Sequence, residues 1–175
     1  YVYPTLVLVI GAVFMKQKIR SVQIIALLMT YAGVAVAFLD KAAFAGSSNF
    51  WLGVGLVFLA ALTYAIYISL GGKYIPRLGA LRYTVWTMTA ACLFVLLHHY
   101  ANHRLQLFHF SKEIYGLSLL MAAFATVIPA FMISEGIRLV GSSNAAIIGS
   151  VGPISTIILA YFFLGEAFGY FQFIG

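Results

Sequence analysis

Charge is scarce in this sequence. Ten Lys or Arg and four Asp or Glu make up 8% of 175 residues, where a soluble domain carries roughly 25%. The shortage runs along the whole chain, so a removable signal peptide does not account for it. Cysteine is nearly absent too: Cys92 stands alone within an apolar run. That excludes an intrachain disulfide, and the residue reads as a small packing hydrophobe. Acids are scarcer than bases, giving a balance of +6. The cations are scattered among the apolar runs, which argues against a nucleic-acid partner and reads as topology signals between membrane spans. Apolar residues are what the chain has in plenty, 63% of the total with a mean hydropathy of +1.04. Its solvent is lipid.

At about 20 residues per span, the length allows six or seven crossings with short loops. Residues 1–15 are uncharged and end at Lys16, Lys18 and Arg20. Residues 21–39 form the next run, closed by Asp40 and Lys41. After the loop signal Gly46-Ser47-Ser48-Asn49, a span runs from Trp51 to about Leu70, and Lys73, Pro76, Arg77 and Arg82 are expected to form a loop. Further spans are expected near Leu81–His98, at Ile114–Ser134 and within Leu139–Gly165, with a last one starting at Ala167. Gly141-Ser142-Ser143-Asn144 resembles a helix start with a Ser or Asn cap. The runs are long and apolar all round, whereas barrel strands would alternate in segments of about ten residues. The expected fold is therefore an all-α polytopic membrane protein. The chain opens on Tyr1 and stops at Gly175 inside apolar stretches, so both ends are expected to cut through helices, leaving five whole and two partial.

Loops on alternate sides differ in charge. One side collects Lys16, Lys18, Arg20, Lys73, Arg77, Arg82 and Arg138 against Glu135; the other collects Lys41, Arg104 and Lys112 against Asp40, Glu113 and Glu166. Seven bases less one acid leave +6 on the first side, and three less three leave zero on the second. The positive-inside rule makes the first side cytoplasmic.

An internal repeat is visible at a single offset. Pro4 pairs with Pro153, Gln17 with Glu166, and Gln23 with Gln172, all 149 residues apart. Five spans lie between the two copies, which places them on opposite faces. The Lys16–Arg20 copy is basic and the Glu166 copy acidic, as an inverted repeat would require.

Pro153, Leu164-Gly165-Glu166, Gln172 and Gly175 resemble the end of an EamA repeat of the drug/metabolite transporter superfamily. Thr126, Pro129, Gly136 and Gly141 through Ala146 are similar to the approach to that motif. Tyr3-Pro4, Gln17, Gln23 and Gly33 stand for the first-repeat copy, which departs from the pattern in carrying Gln17 where an acid is usual. The resemblance implies a ten-helix bundle of two inverted five-helix repeats with cytoplasmic termini. Residues 1–40 would then end the first repeat as helices 4 and 5, residues 41–50 would be a loop, and residues 51–175 would be the second repeat from helix 6 into helix 10.

Candidate site residues follow from the spans. Pro4 and Pro153 remove backbone donors within helices, and broken helices line sites in many carriers; plain packing is the alternative. Tyr3, Tyr64, Tyr67 and Trp86 can wall an aromatic cavity or anchor helices at the interface. Thr63, Thr126, Ser150 and Ser155 are candidate polar contacts, though such hydroxyls often bond their own helix. Ala145/Gly149 and Ala146/Ser150 read as small-xxx-small pairs for close helix contact. Glu135 and Arg138, three apart, can pair as a gate or as a simple helix-end ion pair. Glu166 reads as a repeat-closing structural residue rather than a proton carrier.

His98, His99, His103 and His109 lack a supporting set of carboxylates or thiols, so no metal site and no cofactor is expected. No Asp, Glu, Lys or Arg lies near the middle of a complete span, which leaves no intramembrane carboxylate relay there. The expected function is secondary transport of a small metabolite or drug-like molecule by alternating access. A membrane-embedded enzyme or a non-transporting scaffold is the alternative, although the polar groups do not converge as catalysis needs. The expected partners are a small-molecule substrate and the bilayer, with homo-oligomerisation open. The expected setting is multi-pass in a bacterial inner (plasma) membrane.

Overall fold

The computed structural model describes residues 2–37, 49–103 and 110–165. Tyr1, Asp40, Lys41, the Gly46-Ser47-Ser48 signal, Arg104, His109, Glu166, Gln172, Gly175 and the span from Ala167 lie outside the described residues.

All regular structure among the described residues is helical. α1 is Tyr3–Met15, α2 is Ser21–Ala37, α3 is Phe50–Leu78 and α4 is Ala80–His103. α5 is the continuous span Lys112–Val140 and α6 the span Ser142–Leu164. The last four are long and apolar enough to cross a membrane. At 1.5 Å per residue, the 13 residues of α1 reach only about 20 Å. Large apolar side chains such as Phe14, Trp51, Val57, Phe94 and Phe163 are exposed along these helices. Water would not tolerate so much apolar surface; hydrocarbon does.

The expected loop at Lys73–Arg82 is not there. α3 continues through Lys73, Pro76 and Arg77 to Leu78, and one residue, Gly79, separates it from α4. Basic side chains at a helix end can lay their stems along apolar surface and lift their charge outward, and the Lys73 Nζ lies 5.5 Å from the Tyr74 ring centroid. Charge therefore marked the end of the hydrocarbon layer, not the end of the helix. Gly79 takes φ +82° and Gly141, between α5 and α6, takes φ +81°. Side chains resist that backbone region, so each break is a single glycine. The start of α6 falls at Ser142, leaving Gly141 in the place expected of a Ser or Asn cap.

Two long helices are irregular near their prolines. In α5 the segment Ala122–Val127 widens to π geometry, with the Ile128 N–H reaching Ala123, and Pro129 follows directly. The wider turn absorbs the carbonyl that a proline cannot satisfy. α6 tightens to a 3₁₀ turn at Gly149–Val151 before Pro153, then widens again at Ala160–Leu164.

The chain divides into two compact units, one drawn from residues 1–70 with 142–175, the other from 71–141. In the first, the sequence supplies α6 with small residues along one face, and α1 packs there. Tyr3 reaches Ala146 and Gly149, while Gly11 lies against Ser143, so α1 and α6 run antiparallel. α2 joins the same face through Gln23 to Asn144 (2.8 Å) and Thr30 to Ser150 (3.3 Å). Both numbers rise together, so α2 and α6 run parallel. The buried centre contains Pro4, Val7, Leu8, Gly11 and Ala146.

In the second unit, the end of α3, α4 and the last turns of α5 meet at Gly71, where a Cβ would touch Ile137, Ile75 and Tyr83 at 3.3–3.5 Å. Thr84 and Ser134 are wholly buried. The Thr84 hydroxyl donates to the Ala80 carbonyl (2.8 Å) and shares a hydrogen bond with the Ser134 hydroxyl (2.7 Å). Burial of two hydroxyls away from water requires such pairing.

Candidate functional site

Three tyrosines come together in the first unit. The Tyr3 ring meets the Tyr64 ring edge to face, with centroids 5.1 Å apart, and Tyr64 stacks on Tyr67 at 6.0 Å. Tyr64 and Tyr67 sit three apart on α3, which gives them a common helix face. Tyr3 is brought to them by α1, whose first turn lies over α6. Its hydroxyl donates to the Ala146 carbonyl at 3.4 Å. Gly149 makes that approach feasible, because a Cβ there would stand 2.6 Å from the Tyr3 hydroxyl oxygen.

Beside the tyrosines a cleft of about 800 Å³ opens between the start of α1 and the first half of α3. Val2 and Tyr3 form one wall; Phe50, Gly53, Val57 and Ala60 belong to the other, with Asn49 at its edge. The α3 residues recur every three or four positions, one stripe of the helix. Gly53 has no heavy atom within 4 Å of where its Cβ would be, so the stripe is open at that point. The lining residues are apolar apart from Asn49 and Tyr3, whose hydroxyl is engaged on α6. Such a surface can stack on a flat apolar body and orient one or two polar groups.

Tyr3, Tyr64 and Tyr67 are thus assembled as a group. Tyr64 is 38% exposed; of the three, Tyr3 lines the cleft and Tyr64 and Tyr67 do not. Ser150 is engaged elsewhere: its hydroxyl donates to Ile147 (2.6 Å) and lies 3.3 Å from the Thr30 hydroxyl. It joins helices α2 and α6. Thr63 and Ser155 bond their own helix at Ala60 and Val151, the second of the two roles open to such hydroxyls. Pro4 falls in the first turn of α1, where a missing N–H costs no helical bond. Pro153 falls in the first turn of the α-helical stretch Gly152–Leu159, after the 3₁₀ turn.

Trp86, Thr126, Glu135 and Arg138 all belong to the second unit. Trp86 is 73% exposed, and Thr126 is exposed within the π segment of α5. Arg138 pairs with Glu135 as their spacing allows, its Nε donating to Oε1 at 2.8 Å. Among the described residues no group of three or more His, Cys, Asp or Glu comes together in a metal-holding arrangement.

The cleft wall from Asn49 to Ala61 was not legible as a site in the sequence. Asn49 looked like a loop signal, and an apolar stripe looks the same whether it faces lipid or a cavity. The recurrence of Gly53 and Ala60 on one α3 face was the available clue, since small residues leave room.

Long apolar helices with large apolar side chains exposed along them define an α-helical integral membrane protein. Residues 51–175 match the EamA-like transporter family, and the chain belongs to that family. It is 34% identical over 128 residues to the uncharacterized transporter YcbK of Bacillus subtilis (strain 168), covering 71% of this chain and 41% of that protein. It is 21% identical over 175 residues to the uncharacterized transporter YyaM of the same organism, covering 98% of this chain and 57% of that protein. The chain spans about half the length of these curated relatives. No solved structure gives a significant match.

Proposed function

We propose that this chain forms part of a secondary transporter that carries a small amphipathic metabolite or drug-like molecule by alternating access. The observation that carries the proposal is the tyrosine group Tyr3, Tyr64 and Tyr67 beside an 800 Å³ apolar cleft in one unit. That volume suits a small solute. Aromatic faces would hold its apolar part, while the Asn49 amide would orient its polar part. Membership of a transporter family, and the names of both relatives, support the same reading.

In this proposal the whole protein is a ten-helix, inverted-repeat bundle. Residues 1–40 close the first repeat, 41–50 link, and 51–175 belong to the second. Support comes from the antiparallel packing of α1 and α6, since helices related by inversion should run in opposite senses. Pro4 and Pro153 would be equivalent positions. Ser150 would hold the helix pair together, and the Glu135–Arg138 pair would act at a gate. A bacterial inner membrane is the proposed setting, in keeping with relatives from Bacillus subtilis.

The test is counterflow in proteoliposomes containing the full-length protein, across a broad panel of labelled metabolites. Accumulation of at least one solute, reduced by Tyr64→Ala at equal protein incorporation, is the expected result. No counterflow of any solute, under conditions where a control carrier works, would remove the transport reading.

A further inference from the structure

The loop between α1 and α2 holds three cations in five residues: Lys16, Lys18 and Arg20. All three are exposed, and among the described residues none of their side chains has a hydrogen-bond or ion-pair partner. No Asp or Glu occurs among the described residues of the first unit. In the second unit Arg138 is paired with Glu135 and Lys73 lies over Tyr74, and no three cations fall within five residues among its described residues.

The loop itself is held in place. Lys16 takes a left-handed conformation (φ +53°) that closes α1 onto the Gly11 carbonyl. Gln17 accepts from the Ser143 hydroxyl at 3.2 Å. Gln23 accepts from the Arg20 N–H at 3.1 Å and donates to Asn144 at 2.8 Å. Gln17 among the cations and Gln23 in the first turn of α2 thus tie the loop to α6 and leave the charges over. Apolar helices leave the loop on both sides, so it sits where hydrocarbon gives way to headgroups. Ile19 among the cations, and Phe14 and Val22 on the flanking helices, are exposed as well. Cations at headgroup level beside exposed apolar side chains complement both parts of a lipid; a soluble anion would use only the first.

We infer that the α1–α2 loop is a binding site for the phosphate headgroup of an anionic phospholipid, contacted by Lys16, Lys18 and Arg20, with Phe14 and Ile19 against its chains. A basic residue near an anionic membrane surface contributes about 1 kcal/mol, roughly a fivefold change in affinity. The site is independent of the transport reading.

The experiment uses the full-length protein in nanodiscs of phosphatidylcholine with a minor share of phosphatidylglycerol. Lipid retained by the protein is counted by native mass spectrometry. Wild type should retain phosphatidylglycerol above its share of the bilayer, with K18Q and R20Q each lowering that enrichment about fivefold. Neutral variants also weaken the orientation signal, so K18R/R20K serves beside them and should keep the enrichment. Retention of both lipids in proportion to the bilayer would overturn the proposal. So would enrichment unchanged in K18Q and R20Q, or lost in K18R/R20K. Displacement of the lipid by soluble glycerol phosphate would assign the loop to a free anion instead, and would equally overturn it.

Discussion

The Tyr3 hydroxyl oxygen lies 2.6 Å from the point a side chain at Gly149 would first occupy. Two residues 146 positions apart thereby set how closely α1 approaches α6. Gly149→Ala should force the Tyr3 ring away and destabilise the protein by about 1–3 kcal/mol, the usual cost of overpacking. Tyr3→Phe removes the atom that clashes, so Tyr3→Phe/Gly149→Ala should recover most of the loss. Thermal unfolding of the detergent-solubilised full-length protein reads both. Additive effects of the two substitutions would contradict the contact.

Tyr64 is the middle member of the tyrosine group and touches both others. Aromatic pairs contribute about 0.5–1.5 kcal/mol beyond area burial. Replacing Tyr64 with Ala should lower initial transport rates about 2- to 10-fold if the solute takes part in that stacking, with expression unchanged. Tyr64→Phe keeps the ring and should keep most of the activity. Equal loss in both variants would point to the hydroxyl instead.

The Thr84–Ser134 hydrogen bond lies in the buried centre of the second unit. Thr84→Val keeps the shape but strands the Ser134 hydroxyl, which should cost about 1–3 kcal/mol. Thr84→Val/Ser134→Ala removes both partners and should be closer to wild type than the single variant. A full double-mutant cycle in melting temperature measures the coupling, which in membrane helices averages about 0.6 kcal/mol.

Gly141 combines φ +81° with ψ +161°, a region open essentially to glycine alone. Gly141→Ala should cost about 1–3 kcal/mol of stability. No heavy atom lies within 4 Å of the new Cβ, so the cost is backbone strain rather than a clash. Unchanged thermal stability in Gly141→Ala would show that the junction relaxes at no cost.

The helices were legible because charge is excluded from hydrocarbon. Gaps between Arg20 and Asp40, or between Glu113 and Glu135, could be read as spans directly. The same logic failed at Lys73–Arg82, where long basic side chains remain helical while their charges leave the membrane. Spacing also anticipated the Glu135–Arg138 pair, because three residues along a helix is a local distance. The tyrosine group was nameable from residue type, but its assembly depends on where α1 lies over α6. No local pattern encodes that. Ser150 shows the converse: a plausible cavity hydroxyl by sequence, it is occupied by Thr30 across a helix contact.

The single-glycine junction at 79 has a mechanical consequence. A joint of one residue has no slack, so α4 cannot slide along the end of α3 by even one helical turn of about 5.4 Å. It can only pivot. The loop 16–20, with five non-helical residues, is the longest fully described connector and could pay out chain where Gly79 cannot. Any rearrangement at the Gly79 corner must be a change of angle with the corner itself held in place.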